Sequence, residues 1–140
     1  MNILLAVDGS TYTKKMLAYL AAHNEMLGTD HSYTAITVQP ALPPRARAAL
    51  GKETVDNYYA EEGEKVMAPV VKFLGRHGVQ LKTVTKVGPA GETIAKVAES
   101  GKYDLIVMGT HGHGSLGKLV MGSVSTQVLA NCTVPVLLVR

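Results

Sequence analysis

The chain alternates short, densely apolar runs with longer segments whose apolar residues recur at helical spacing. Ile3-Leu4-Leu5-Ala6-Val7 is apolar without interruption, the pattern of a central parallel strand covered on both faces. It ends at Asp8-Gly9-Ser10, where Ser10 or Thr11 can cap a following helix. Met16, Leu17, Leu20, Ala21 and Leu27 place that helix, and Gly28 is a suitable C′ residue to stop it. A second strand spans roughly Ser32 to Val38. Gln39 to Gly51 contains Pro40, Pro43 and Pro44, which argue against a regular helix and predict an exposed loop. Its Arg45 and Arg47 either reach an anion as part of a lid or partner surface, or belong to a plain solvated loop.

Lys52 to His77 reads as one long helix, with Tyr59, Val66, Met67, Val70 and Leu74 on a face. Pro69 inside that pattern predicts a kink or break near Ala68. Val79, Leu81, Thr83, Thr85 and Val87 alternate with mostly polar partners, as in a half-exposed edge strand. Pro89 to Ser100 reads as a helix with Ile94, Val97 and Ala98 on one face. Leu105-Ile106-Val107-Met108 is a fourth buried strand, Val124 to Ala130 a last helix, and Val134 to Val139 a fifth strand. Strands thus alternate with helices, which predicts a single α/β domain with a parallel sheet and helices on both faces. Ligands in such sheets sit beyond the carboxyl ends of the strands, where strand order reverses. Asp8 and Gly109 both lie at that edge, and they meet if the first and fourth strands are neighbours.

Gly109 to Ser123 is rich in glycine and joins a strand to a helix. A turn of that kind lets backbone N–H groups converge on an anion, because glycine permits close approach and positive φ; taken alone, it reads equally well as a flexible surface turn. From Leu105 to Arg140 there is no Asp or Glu, so this segment opposes an anion with no carboxylate. Gly112-x-Gly114-x-x-Gly117 matches the dinucleotide fingerprint but lacks the acidic residue about 20 positions later. Gly112-x-x-x-x-Gly117-Lys118 approaches a P-loop, with Leu119 where a Ser or Thr is needed. The third spacing is Gly109-x-x-Gly112, nine residues, then Gly122-Ser123, followed by Val124-Ser125. His111 and His113 are two apart, so in an extended loop they diverge, and a solvated loop is their expected setting.

The 140 residues suit one domain, which can bury about 70% of its unfolded surface. The formal net charge is +3 and aromatics make up 5% of the chain. With no Lys/Arg cluster and few stacking side chains, DNA or RNA is not the expected partner. The single cysteine, Cys132, fits a reducing compartment and reads as a small apolar side chain near a helix end. No apolar stretch approaches 18 residues and Met1 leads directly into a strand, so neither a membrane span nor a signal peptide is expected. The expectation is a cytoplasmic protein.

The third spacing closely resembles the nucleotide-binding signature of the universal stress protein family. The resemblance runs along the chain, through Ala6-Val7-Asp8-Gly9-Ser10 and Val134-Pro135-Val136-Leu137-Leu138-Val139. It implies a Rossmann-related five-stranded sheet of order 3-2-1-4-5, and ATP, possibly with Mg²⁺, bound where the first and fourth strands meet. It further implies that Ala6, Val7 and Asp8 contact the nucleotide, that the Val38 backbone meets the adenine, and that Met108 and Gly109 lie on the ribose side. Gly112, Gly122, Ser123, Val124 and Ser125 match the positions around the phosphates. Four of these have a plainer alternative: Asp8 as a turn former, Val38 and Met108 as core, Ser123 as a helix cap. The function so implied is a regulatory or stress-response sensor, homodimeric through its C-terminal strand. A slow ATPase, or a dimeric interaction or chaperone-like module holding another anion, is the alternative. No nucleophile with an oriented base is evident in the sequence, so no catalytic residue is assigned.

Overall fold

The computed structural model describes residues 1–28, 30–113 and 121–140. Its strands are β1 (Asn2–Ala6), β2 (Ser32–Gln39), β3 (Leu81–Val87), β4 (Leu105–Gly109) and β5 (Val136–Val139). Its helices are α1 (Thr11–Ala22), α2 (Pro44–Leu50), α3 (Lys52–Arg76), α4 (Ala90–Ser100) and α5 (Ser123–Asn131), with a 3-10 turn at Asn24–Leu27. The sheet is parallel, in the order β3-β2-β1-β4-β5.

The unbroken apolar runs divide by the period of two that a strand imposes. Ile3, Leu5 and Val7 of the first run and Val107 of β4 face one layer, where Met16, Leu17 and Leu20 of α1 and Met67, Val70 and Leu74 of α3 cover them. Leu4, Ala6, Ile106 and Met108 face the other, against Ile94 and Ala98 of α4 and Val128 of α5. Ile3, Leu4 and Leu5 are fully buried, and each such side chain contributes about 1.5–3 kcal/mol. Burial on both faces therefore holds β1 at the centre. β3 and β5 form the edges.

Three local expectations are corrected. Residues 39–51 are not all loop, because α2 begins at Pro44. Proline at the first helical position removes an N–H that has no intrahelical acceptor and brings a φ already suited to a helix. Of the kink or break expected near Ala68, the break does not occur: α3 runs continuously from Lys52 to Arg76. Its buried Val55, Met67, Val70 and Leu74 anchor both sides of the proline, and tertiary packing outweighs the lost backbone bond. Gly28 does not end α1 in a left-handed turn. The helix stops at Ala22, Leu27 lies in the 3-10 turn, and Gly28 has φ −63°.

Candidate functional site

The register pairs Ala6 with Met108, so the chain leaves β1 and β4 side by side at the carboxyl edge of the sheet. After β1, Asp8 organises the turn into α1. Its Oδ1 accepts from the Ser10 N–H at 2.9 Å and from the Thr13 hydroxyl at 2.8 Å, while the Asp8 N–H donates to Thr13 Oγ1 at 3.0 Å. Ser10 caps α1 by accepting from the Thr13 N–H at 3.4 Å. Gly9 takes φ +77°, a conformation with little steric cost for glycine alone.

After β4, Thr110 joins the sheet to α5. Its N–H donates to Val139 at 2.9 Å, and its carbonyl accepts from the Gly122 N–H at 2.7 Å and the Ser125 hydroxyl at 2.8 Å. Ser125 is buried and its hydroxyl also lies 3.1 Å from the Gly122 carbonyl, so its one proton is committed within the protein. Gly122, not Ser123, is the N-cap of α5, and Ser123 is an exposed first-turn residue. The first helical bond runs from Thr126 N–H to the Gly122 carbonyl. The N–H groups of Ser123, Val124 and Ser125 therefore precede the helical ladder, at the end where the helix dipole favours negative charge.

These turns enclose a cleft of about 500 Å³, part of it open to solvent. One wall is apolar: Ala6, Val38, Ile94, Met108 and Val124 line it and pack in the same core layer, with Ala90 beside them. The rest of the lining, Val7 apart, is polar or glycine: Asp8, Gly109, Gly112 and Gly122 with Thr13, Thr110, His111 and Ser125. An added side chain would be crowded at each of these glycines. A Cβ on Gly112 would lie 2.6 Å from Asp8 Oδ2, one on Gly109 2.6 Å from Tyr12 Cβ, and one on Gly122 3.2 Å from His111 Cα. Asp8 is the one carboxylate among the described lining residues. No group of three His, Cys, Asp or Glu capable of holding a metal ion occurs among the described residues.

Of the sequence-predicted site residues, the structure brings Ala6, Val7, Asp8, Val38, Met108, Gly109, Gly112, Gly122, Val124 and Ser125 into the cleft wall, and leaves Ser123 outside it. Gly114, Gly117, Lys118 and Leu119, on which the two rival motifs depend, lie outside the described residues. Of the two histidines, His111 departs from the expected solvated setting. His111 is half-buried, 2.8 Å from Thr110 Oγ1 and tilted against Tyr12 with centroids 4.9 Å apart. His113 is exposed but its Nε2 is 2.7 Å from the Asp8 carbonyl. Sequence reasoning missed Thr13, Ala90, Ile94, Thr110 and His111 as lining residues. Ile94 carried a signal as a core position of α4, but nothing local said that the first turn of that helix would close the cleft.

A model of the universal stress protein family matches residues 1–140. A universal stress protein of Thermus aquaticus is 35% identical over 145 residues, covering 99% of this chain and 98% of that protein. Relatives differ in length: the chain spans 42% of universal stress protein Slr1230 of Synechocystis sp., at 34% identity over 99% of its own length. Among solved structures, hypothetical protein MJ0577 aligns at a TM-score of 0.82 and 27% identity, covering 99% of this chain and 94% of that one. The same fold occurs in an Arabidopsis thaliana universal stress protein family member with AMP bound, at a TM-score of 0.70 and 17% identity over 99% of this chain and 90% of that one. It occurs also in a universal stress protein in complex with cAMP, at a TM-score of 0.70 and 19% identity over 100% and 97% of the two chains.

Proposed function

The chain belongs to the universal stress protein family, and from that premise we propose that its cleft binds ATP and that the protein acts as a small homodimeric nucleotide sensor in the cytoplasm. The observation that carries the reading is the mixed lining of one cleft: apolar side chains together with glycines, the last of which caps the N-terminus of α5. Adenine fits the slot between Val38 and Ile94, where a planar apolar face is sheltered and backbone groups supply the edge contacts. Met108, Gly109 and Asp8 then lie on the ribose side. The phosphates reach Gly112 and Gly122, where the missing Cβ atoms leave room and the N–H groups at the start of α5 supply donors. Ser123 contributes through its backbone. Ser125, with its proton already donated, braces the α5 turn rather than binding.

Magnesium accompanying ATP would be held mainly by phosphate oxygens and water, with Asp8 as the available carboxylate. Its role would be to neutralise phosphate charge. The AMP- and cAMP-bound proteins of the same fold support an adenine nucleotide over other anions.

The dimer reading rests on β5. Ile106 N–H donates to the Pro135 carbonyl and Thr110 N–H to the Val139 carbonyl. By the alternation of a parallel ladder, the backbone groups of Val136 and Leu138 point away from β4, toward the open edge. A second copy pairing there about a two-fold axis closes the edge without polymerisation.

Mass spectrometry of gently purified, denatured protein tests the nucleotide reading, with an adenine nucleotide expected in the released fraction. Protein stripped of nucleotide should then take up ATP in calorimetric titration. Failure to bind ATP, ADP or AMP in that titration refutes the proposal.

A further inference from the structure

We propose that His113 is a positioning residue that straps the glycine loop to the β1–α1 turn and so sets the phosphate end of the cleft, an inference that rests on the nucleotide reading above. Its Nε2 is 2.7 Å from the Asp8 carbonyl oxygen, across 105 positions of sequence. A carbonyl can only accept, so Nε2 carries the hydrogen and the ring is fixed as a donor at that nitrogen.

The next residue back closes on the same anchor. Gly112 approaches the Asp8 carboxylate so nearly that a Cβ there would stand 2.6 Å from Oδ2. Two consecutive loop residues therefore meet one residue of the opposite turn, one at its backbone and one at its side chain. Asp8 is a firm anchor, because Oδ1 already holds the Ser10 N–H and the Thr13 hydroxyl. The Gly9 turn at φ +77° sets the plane of the peptide that His113 meets.

The strap has a direct geometric consequence. Gly112 is also the loop residue that flanks Gly122: a Cβ on Gly122 would be 3.7 Å from the Gly112 nitrogen. The two glycine backbones that would face phosphate thus lie side by side. Gly122 is tied to the sheet through Thr110, whereas His113 ties the first turn of the loop to the Asp8 carbonyl. Without the strap, the first turn of the loop loses its bond to the Asp8 carbonyl, the position of Gly112 against Gly122 is less firmly set, and the site loses part of its preorganisation for phosphate. The adenine is placed between Val38 of β2 and Ile94 of α4, neither of which the strap touches, and the adenine end should not respond.

The test compares wild type, His113→Ala and His113→Gln. ATP is titrated by calorimetry, adenosine by NMR shift titration, and the nucleotide-free proteins are compared by hydrogen–deuterium exchange. Loss of one such hydrogen bond should weaken ATP about five- to tenfold in His113→Ala and leave adenosine within about twofold. His113→Gln, whose amide can donate to the same carbonyl, should recover most of the loss. In the nucleotide-free His113→Ala protein, segments 8–13 and 109–113 should exchange faster together. Unchanged ATP affinity in His113→Ala, equal losses for ATP and adenosine, or unchanged exchange in both segments would each overturn the proposal. If the wild type bound neither ligand, the nucleotide reading would fall and exchange alone would decide the strap: faster in both segments upholds it, unchanged removes it.

Discussion

Replacing Gly112 by alanine adds one methyl group, and the structure states what that methyl meets. Its carbon would lie 2.6 Å from Asp8 Oδ2 and 3.8 Å from Cγ, and Cβ atoms essentially never approach a neighbour within 3.0 Å. Two kinds of relief are available. The carboxylate can turn, but its other oxygen holds the Ser10 N–H and the Thr13 hydroxyl. Breaking a hydrogen bond to a charged group costs about 1.5–3 kcal/mol, and the half-buried position of Asp8 favours the lower end. Alternatively the loop backs away, which displaces the Gly112 peptide from Gly122. The first route lowers the stability of the free protein by about 1.5 kcal/mol, or roughly 5 °C in melting temperature for a chain of this size. The second leaves stability nearly unchanged and weakens ATP by about 1.5 kcal/mol, roughly tenfold. Thermal melts and calorimetric titration on the same variant separate the two. Gly122→Ala is the graded control: its Cβ would meet His111 Cα at 3.2 Å and the Thr110 carbonyl at 3.4 Å, so a shift of a few tenths of an ångström relieves it and the effect should be smaller. A Gly112→Ala protein with wild-type affinity and wild-type melting temperature would refute the close approach and the reasoning built on it.

Asp8→Ala should weaken ATP and AMP comparably if the carboxylate shapes the turn and the ribose side, whereas a loss confined to ATP with Mg²⁺ and absent in EDTA would assign it to the metal; calorimetry under both conditions decides. The Tyr33 hydroxyl is buried without a hydrogen-bond partner among the described residues, so Tyr33→Phe should stabilise the fold by up to about 1 kcal/mol, and a lowered melting temperature would count against that. Burial also pushes the Tyr33 phenol above its ordinary value of 10.0. The folded state thus disfavours the phenolate, and the wild type should lose stability as the pH rises past about 10, where the unfolded tyrosine ionises first. Melts across that range should show the loss reduced in Tyr33→Phe. Light scattering should find the wild type near twice the 14.9 kDa chain mass, and Val136→Pro, which removes an outward N–H from β5, should shift it toward monomer; a monomeric wild type at micromolar concentration refutes the dimer.

Much of this was legible in the chain because the signals are local. Continuous apolar runs such as Ile3 to Val7 require burial on both faces, and that requirement alone calls for a sheet between two helical layers. The glycine spacing from Gly109 to Gly122 and the absence of carboxylates after Leu105 were written in the residues as well. Where local expectations erred, the reason was packing in one case and the position of the proline in the other. Pro69 is carried through α3 by core contacts on either side of it, and Pro44 starts a helix because it falls at the one helical position that proline suits.

Tertiary structure alone decided the site's composition. No periodicity states that β4 pairs with β1; burial of the whole sheet does, and that pairing sets Asp8 beside Gly112. Residue type did not reveal that Asp8 would hold the start of α1, that Ser125 would donate inward to Thr110, or that Ala90 and Ile94 would wall the cleft. Sequence by itself determined which segments are strands and where an anion could be met. The fold determined which side chains stand there, because hydrogen bonds such as His113 to Asp8 join groups whose distance along the chain carries no information about their distance in space.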